Sequence, residues 1–133
     1  MVVGAQNGST AHAGSRLDVG RFPMTPPPAE LLREIPETAF RQQVLTHAGL
    51  MRWRCYFTWT SVHSIGGYPD LSMVRGDRHV YAELKRYGVR STLAKPNPTV
   101  KQRQWLCDLA RAGHEVFLWD PSCWPQIEEI LGL

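Results

Sequence analysis

Gly66-Gly67-Tyr68-Pro69-Asp70-Leu71-Ser72-Met73-Val74-Arg75-Gly76-Asp77-Arg78-His79-Val80-Tyr81-Ala82-Glu83-Leu84-Lys85 decides how this chain folds. Leu71 to Val74 is a short run with β-forming residues. Arg75 to Arg78 is a polar corner containing glycine, and His79 to Lys85 is a second run. Two such runs around a glycine corner predict a β-hairpin. Glu83 and Lys85 are two apart on the second strand and therefore share a face. The hairpin folds Asp70 back beside them. Two carboxylates and a lysine are then gathered at one end, a pattern suited to holding Mg²⁺ or Mn²⁺ with a cation alongside.

The flanks extend the pattern on both sides. Upstream, Glu30 to Ala48 predicts a helix interrupted at Pro36, with Glu37 in the first turn of its second part. Phe40, Val44, Leu45 and Ala48 form its apolar stripe, and Gly49 is the expected stop. Met51 to Trp59 reads as an aromatic strand. Downstream, Tyr87 to Pro98 is a loop, since two prolines and a glycine oppose regular structure. Thr99 is placed to cap a helix whose first turn holds Gln102 and whose apolar side is Trp105, Leu106, Leu109 and Ala112, with Gly113 as the stop. Glu115 to Trp119 is a strand, and Ser122 is the expected cap of a last helix to about Leu131. The order helix, three strands, helix, strand, helix implies an α/β fold. A crossover makes the last strand parallel to an earlier one, giving a mixed four-stranded sheet with helices on its faces.

A chain of 133 residues fits one domain. Residues 1–28, rich in Gly, Ala, Ser, Thr and Pro, read as a disordered tail, and 29–133 as the folded domain. The net charge of +3 permits a polyanionic partner without demanding one. Cys55, Cys107 and Cys123 are odd in number and widely spaced, which argues for a reducing compartment. No apolar run approaches the ~20 residues of a membrane span, and the first residues lack a secretion-signal pattern. A cytoplasmic protein is the expectation. His12, His47, His79 and His114 show no zinc-ligand spacing with the cysteines. Gly66-Gly67 lacks the remainder of a nucleotide phosphate-binding loop.

Pro69-Asp70 and Glu83-Leu84-Lys85 resemble the two halves of the PD-(D/E)XK nuclease motif. The wider set resembles the virus-type replication-repair nuclease (VRR-NUC) domain family. It comprises Glu37, Phe57-Thr58-Trp59-Thr60-Ser61, Gly67-Tyr68-Pro69-Asp70-Leu71, Glu83-Leu84-Lys85, Thr99-Val100-Lys101-Gln102 and Ala112-Gly113-His114-Glu115-Val116. The resemblance runs from about Glu37 to Ile130. It departs from the family pattern in a longer loop before Thr99 and in Lys101, where glutamate is common. It implies a restriction-endonuclease-like core and a Mg²⁺- or Mn²⁺-dependent DNA endonuclease of phage or prophage type, a homodimer acting in the host cytoplasm. Nicking, structure-selective and junction-cutting activities all fall within it. Asp70, Glu83 and the carbonyl of Leu84 become metal ligands, and Glu37 a further one, directly or through water. Lys85 would hold the attacking hydroxide or stabilise the transition state, and Gln102 would contact the scissile phosphate or orient Lys85.

Ser64, with Ser61 and His63, would contact DNA. Arg86, Arg90, Lys95, Lys101 and Arg103 would form a rim following the phosphates. Trp59 is the tryptophan placed nearest the active loop. Each residue taken alone has a plainer reading: a turn aspartate, a surface Glu83–Lys85 pair on an edge strand, a first-turn glutamate favoured by the helix dipole. The alternative for the whole is a nucleic-acid-binding module with a vestigial site.

Overall fold

The computed structural model describes residues 27–58 and 64–133. The elements are α1 (Ala29–Arg33), α2 (Glu37–Leu50), β1 (Arg54–Phe57), β2 (Leu71–Arg75), β3 (Arg78–Leu84), α3 (Val100–Arg111), β4 (Glu115–Trp119), a 3₁₀ turn (Pro121–Cys123) and α4 (Trp124–Gly132). The sheet has the order β1-β2-β3-β4. β1, β2 and β3 are antiparallel neighbours and β4 lies parallel to β3. This is the expected mixed α/β sheet. Among the described residues no helix is long and apolar enough to cross a membrane. The expectation of a tail falls almost wholly on residues outside those described.

Strand alternation sorts the core into two layers. Leu71, Met73, Val80, Ala82, Leu84, Phe117 and Trp119 meet Phe40, Val44 and Ala48 of α2 and Ile127, Ile130 and Leu131 of α4. On the other face Tyr81 and Val116 meet Leu106 of α3. The hairpin turns through Gly76 and Asp77, in register with Arg75 opposite Arg78. Gly76 has φ 62° while Asp77 keeps a negative φ, the geometry of a turn that needs glycine in its first central position.

The first helix breaks at Pro36 because its missing N–H and its ring oppose continuation from Ile35. α2 does not stop at Gly49. It continues to Leu50, and Arg52, with φ 69°, takes the left-handed position after the cap. The Arg52 N–H reaches the Gly49 carbonyl and the Trp53 N–H the Ala48 carbonyl, both Schellman bonds. Met51 to Trp53 therefore close the helix, and the strand begins only at Arg54. α3 ends with the same motif on Gly113, φ 97°, as its spacing predicts. Ser122 does not cap the last helix. Its N–H is held by Asp120 Oδ1 at 2.7 Å, and a 3₁₀ turn precedes α4. Ala112 is exposed, and Ala110 packs beside Leu109 instead.

The turn end of the hairpin is locked by two arginines. Arg75 and Arg78 lie over the Trp53 ring at 4.7 and 5.0 Å. Arg75 Nη1 donates to the carbonyls of Met51 and Leu131, and Arg78 Nη1 to that of Ile130. Arg78 also grips Glu115 with two bonds, of 2.8 and 2.6 Å. The carbonyls at the end of α4 that have no partner within the helix thus receive charged donors, while the Trp53 indole N–H donates to Leu131 at 2.8 Å.

Candidate active site

The opposite end of the hairpin gathers the acidic and basic residues. Asp70 precedes β2, one step beyond the Leu71–Ala82 pair, and so comes to lie across from Glu83. Asp70 Oδ2 accepts the Leu84 N–H at 2.8 Å, which fixes the carboxylate against β3. Glu83 follows Tyr81 in alternation and points to the α3 side, where it is 2% exposed. Lys85 Nζ stands 3.4 Å from Glu83 Oε2.

Gln102 joins the strand residues to α3. Its Nε2 donates to Glu83 Oε2 at 2.8 Å. Its Oε1 accepts from Lys85 Nζ at 3.0 Å and from the Thr99 N–H at 2.8 Å. The Thr99 hydroxyl in turn accepts the Gln102 N–H, completing a capping box. Two donors facing one amide oxygen and a carboxylate facing the amide nitrogen leave only one sensible orientation of the amide. The helix cap thereby sets the position of a site residue.

The loop before Asp70 is clamped to the same helix. Gly67 has φ 91°, and a Cβ there would stand 2.7 Å from the Lys101 carbonyl carbon and 2.9 Å from the Gln102 nitrogen. Tyr68 sets its ring edge-on to Trp105 at 5.0 Å and to Tyr81 at 6.0 Å. Burial and a hydrogen bond to Tyr81 push its hydroxyl up to about 12. Pro69 is buried. Gly67 and Tyr68 therefore position Asp70. Nothing in the sequence marked Trp105, read there as part of the apolar side of its helix, as the support of Tyr68. A glycine required at positive φ beside a helix start is the signal for Gly67.

Electrostatically, Glu83 is the unusual group. Burial first, and the neighbouring Asp70 carboxylate second, raise its pKa to about 8, against the opposing pull of Lys85. Glu83 Oε1 is buried and meets no N–H or O–H donor, and a hydrogen bond from the protonated Glu83 carboxyl to Asp70 adds to the upward shift. Glu37, in the first turn of α2, is an exposed residue. Local burial and then Asp70 raise its carboxyl, opposed by Lys85, Arg41 and Arg86. Water around an exposed side chain screens such effects, so Glu37 belongs to the field of the site more than to its bonded network. Among the described residues no group of three or more His, Cys, Asp or Glu side chains is arranged to hold a metal ion.

The expected basic rim divides. Lys101 lies alongside Gly66. Arg90 and Lys95 are exposed on the loop before α3. Arg86 donates to the Arg33 carbonyl at 2.7 Å. Arg103 lines a cleft of about 870 Å³ between that loop and α3, away from Glu83. Ser64 is exposed. Ser61, His63 and Trp59 lie outside the described residues. Comparison with protein-family models, with curated proteins and with solved structures finds no match to this chain.

Proposed function

We propose that the protein is a divalent-metal-dependent DNA endonuclease of the PD-(D/E)XK type, similar to the VRR-NUC family. The observation that carries this reading is the buried Oε1 of Glu83, which meets no donor, beside the Asp70 carboxyl. A buried carboxylate oxygen without a donor is costly unless a proton or a cation meets it. The donor set around it is all oxygen, which suits Mg²⁺ or Mn²⁺ and not zinc. Mg²⁺ is commonly held by only one or two carboxylates, with water and substrate phosphate completing its shell. Asp70, Glu83 and the Leu84 carbonyl would hold the ion, and Glu37, whose carboxyl feels the Asp70 charge, would act on it through water.

Such an ion supplies Lewis-acid polarisation of the phosphate and eases deprotonation of water. The chain's own residues supply the rest. Gln102 fixes Glu83 and Lys85 relative to each other. Lys85 shares its ammonium between Gln102 Oε1 and Glu83 Oε2, which leaves a donor for a phosphate oxygen as negative charge develops there. Asp70, tied to the Leu84 N–H, keeps its other oxygen for the ion. A twofold pair of such domains would present two sites to a duplex.

The test is incubation of the full chain with supercoiled plasmid and with a labelled four-way junction, with Mg²⁺, Mn²⁺ or a chelator, beside Lys85→Ala. Metal-dependent cutting lost in Lys85→Ala is expected. Cutting unchanged by Lys85→Ala, or firm DNA binding with no Mn²⁺ binding by calorimetry, would overturn the reading, the latter in favour of a binding module.

A further inference from the structure

The loop from Lys85 to Thr99 begins and ends in the candidate site, since Lys85 and Gln102 bond each other across its base. From Lys85 through Cys107 the chain has six basic residues and no acidic one, the next residue being Asp108. At the outer end of the loop a small turn is built from its own bonds. The Thr92 N–H donates to the Lys95 carbonyl at 3.1 Å, and the Lys95 N–H to Thr92 Oγ1 at 3.0 Å. Asn97 N–H closes onto Ser91 Oγ at 2.9 Å. The side chain carried at the tip is Leu93, 104% exposed.

Single exposed leucines are ordinary. This one differs in its setting. It is the most exposed large hydrophobic residue among those described, and Arg90 and Lys95 flank it on a turn with internal support. It contributes nothing to the core. It lines the mouth of the cleft walled by Pro96, Pro98, Val100 and Cys107, with Arg103 and Arg111 and the single carboxylate Asp108 along the α3 side.

We propose that Leu93 is an apolar wedge that enters DNA at a step where stacking is already broken, with Arg90 and Lys95 on the flanking phosphates. This rests on the DNA reading above and adds to it a residue that determines specificity. Moving one leucine out of water gains about as much as parting one stacked step costs. A single wedge therefore gains little against intact duplex and more at a bulge, nick or branch, where that cost is already met. The apolar cleft wall gives the displaced base a surface to lie against.

The experiment uses the full chain carrying Lys85→Ala, so that no strand is cut. Its affinity is measured for a continuous duplex and for the same duplex with a one-nucleotide bulge beside 2-aminopurine, with and without Leu93→Ala. Tighter binding to the bulged DNA, by about tenfold, and a rise in 2-aminopurine fluorescence are expected. Leu93→Ala should remove both, whereas Lys95→Ala should weaken both DNAs together. A preference that persists in Leu93→Ala, or an equal loss on both DNAs, would overturn the wedge. Cutting by the unmutated chain is scored separately. A Leu93-dependent preference without any cutting overturns the nuclease and leaves the wedge, and cutting with a preference indifferent to Leu93 does the reverse. Failure to bind either DNA overturns both.

Discussion

At the turn end of the β2–β3 hairpin, each guanidinium has a carbonyl, a carboxylate or an indole face to meet, and the last carbonyls of α4 receive the donors. At the open end, Asp70, Glu83 and Lys85 also converge, but one buried oxygen of Glu83 meets no donor from the chain, and burial with the Asp70 carboxylate beside it raises the Glu83 pKa to about 8. The same two strands thus carry one charged cluster that is complete and one that is not. Completeness belongs to stability, because charged hydrogen bonds left unmade are costly. An incomplete cluster is satisfied by a proton, shared here with Asp70, or, on the proposed reading, by a cation.

Substitutions at the two ends should separate these roles. The largest effect is expected for Lys85→Ala, with cutting down by at least ~100-fold, as for loss of one transition-state donor, and a melting temperature close to the parent's. Arg78→Ala should do the opposite. It loses the Glu115 pair, the Ile130 carbonyl and the Trp53 ring, costing about 1–3 kcal/mol in denaturant titration, with cutting per folded molecule retained. Gly67→Ala tests the link between packing and the acidic cluster. Overpacking against the first turn of α3 should cost about 1–3 kcal/mol and also lower cutting, because Gln102 moves with that turn. A variant that loses stability while keeping full activity would break the link.

The hairpin, the parallel return of β4 and the convergence of Asp70, Glu83 and Lys85 were legible because alternation and a glycine turn fix which side chains share a face. The cap of α3 was legible in Thr99 and Gln102 for a similar local reason. The end of α2 was not. Gly49 is the better stop by propensity, but closing the helix three residues later buries Trp53 and brings its indole to Leu131, a contact 78 residues away in sequence. The basic rim was only half legible. Charge shows in a sequence, whereas the turn of Arg86 toward Arg33 and of Arg103 toward the outer cleft depends on where neighbouring helices start. Positions such as Gly67, whose task is to have no side chain, declare themselves only when the facing backbone is known.

Acidity should sharpen the contrast further. The folded-state pKa of Glu83 lies above its ordinary value of 4.5, so the folded chain keeps a proton that the unfolded chain releases. That contribution is complete below pH 4.5 and is lost as the pH rises through about 8. In chelator, the melting temperature should fall across this window, and Glu83→Gln should flatten the fall. Mn²⁺ should restore stability mainly at the alkaline side, where the carboxylate is free to bind it. The smallest effect is expected for Arg52→Gly. Relief of a left-handed arginine, partly offset by a looser unfolded chain, should stabilise by up to about 1 kcal/mol and leave cutting untouched.

The capping box of α3 has one more consequence. Gln102 Oε1 closes the helix start and receives Lys85 with the same atom. Fraying of that first turn, the commonest local opening of any helix, therefore scatters the cluster at the same moment. Assembly of the site and nucleation of the helix are one cooperative event. The protection of the Gln102 and Arg103 amides, measured by hydrogen exchange, then reports the fraction of molecules in which the cluster is assembled, and, on the proposed reading, an added cation should slow that exchange before it alters any other part of the sheet.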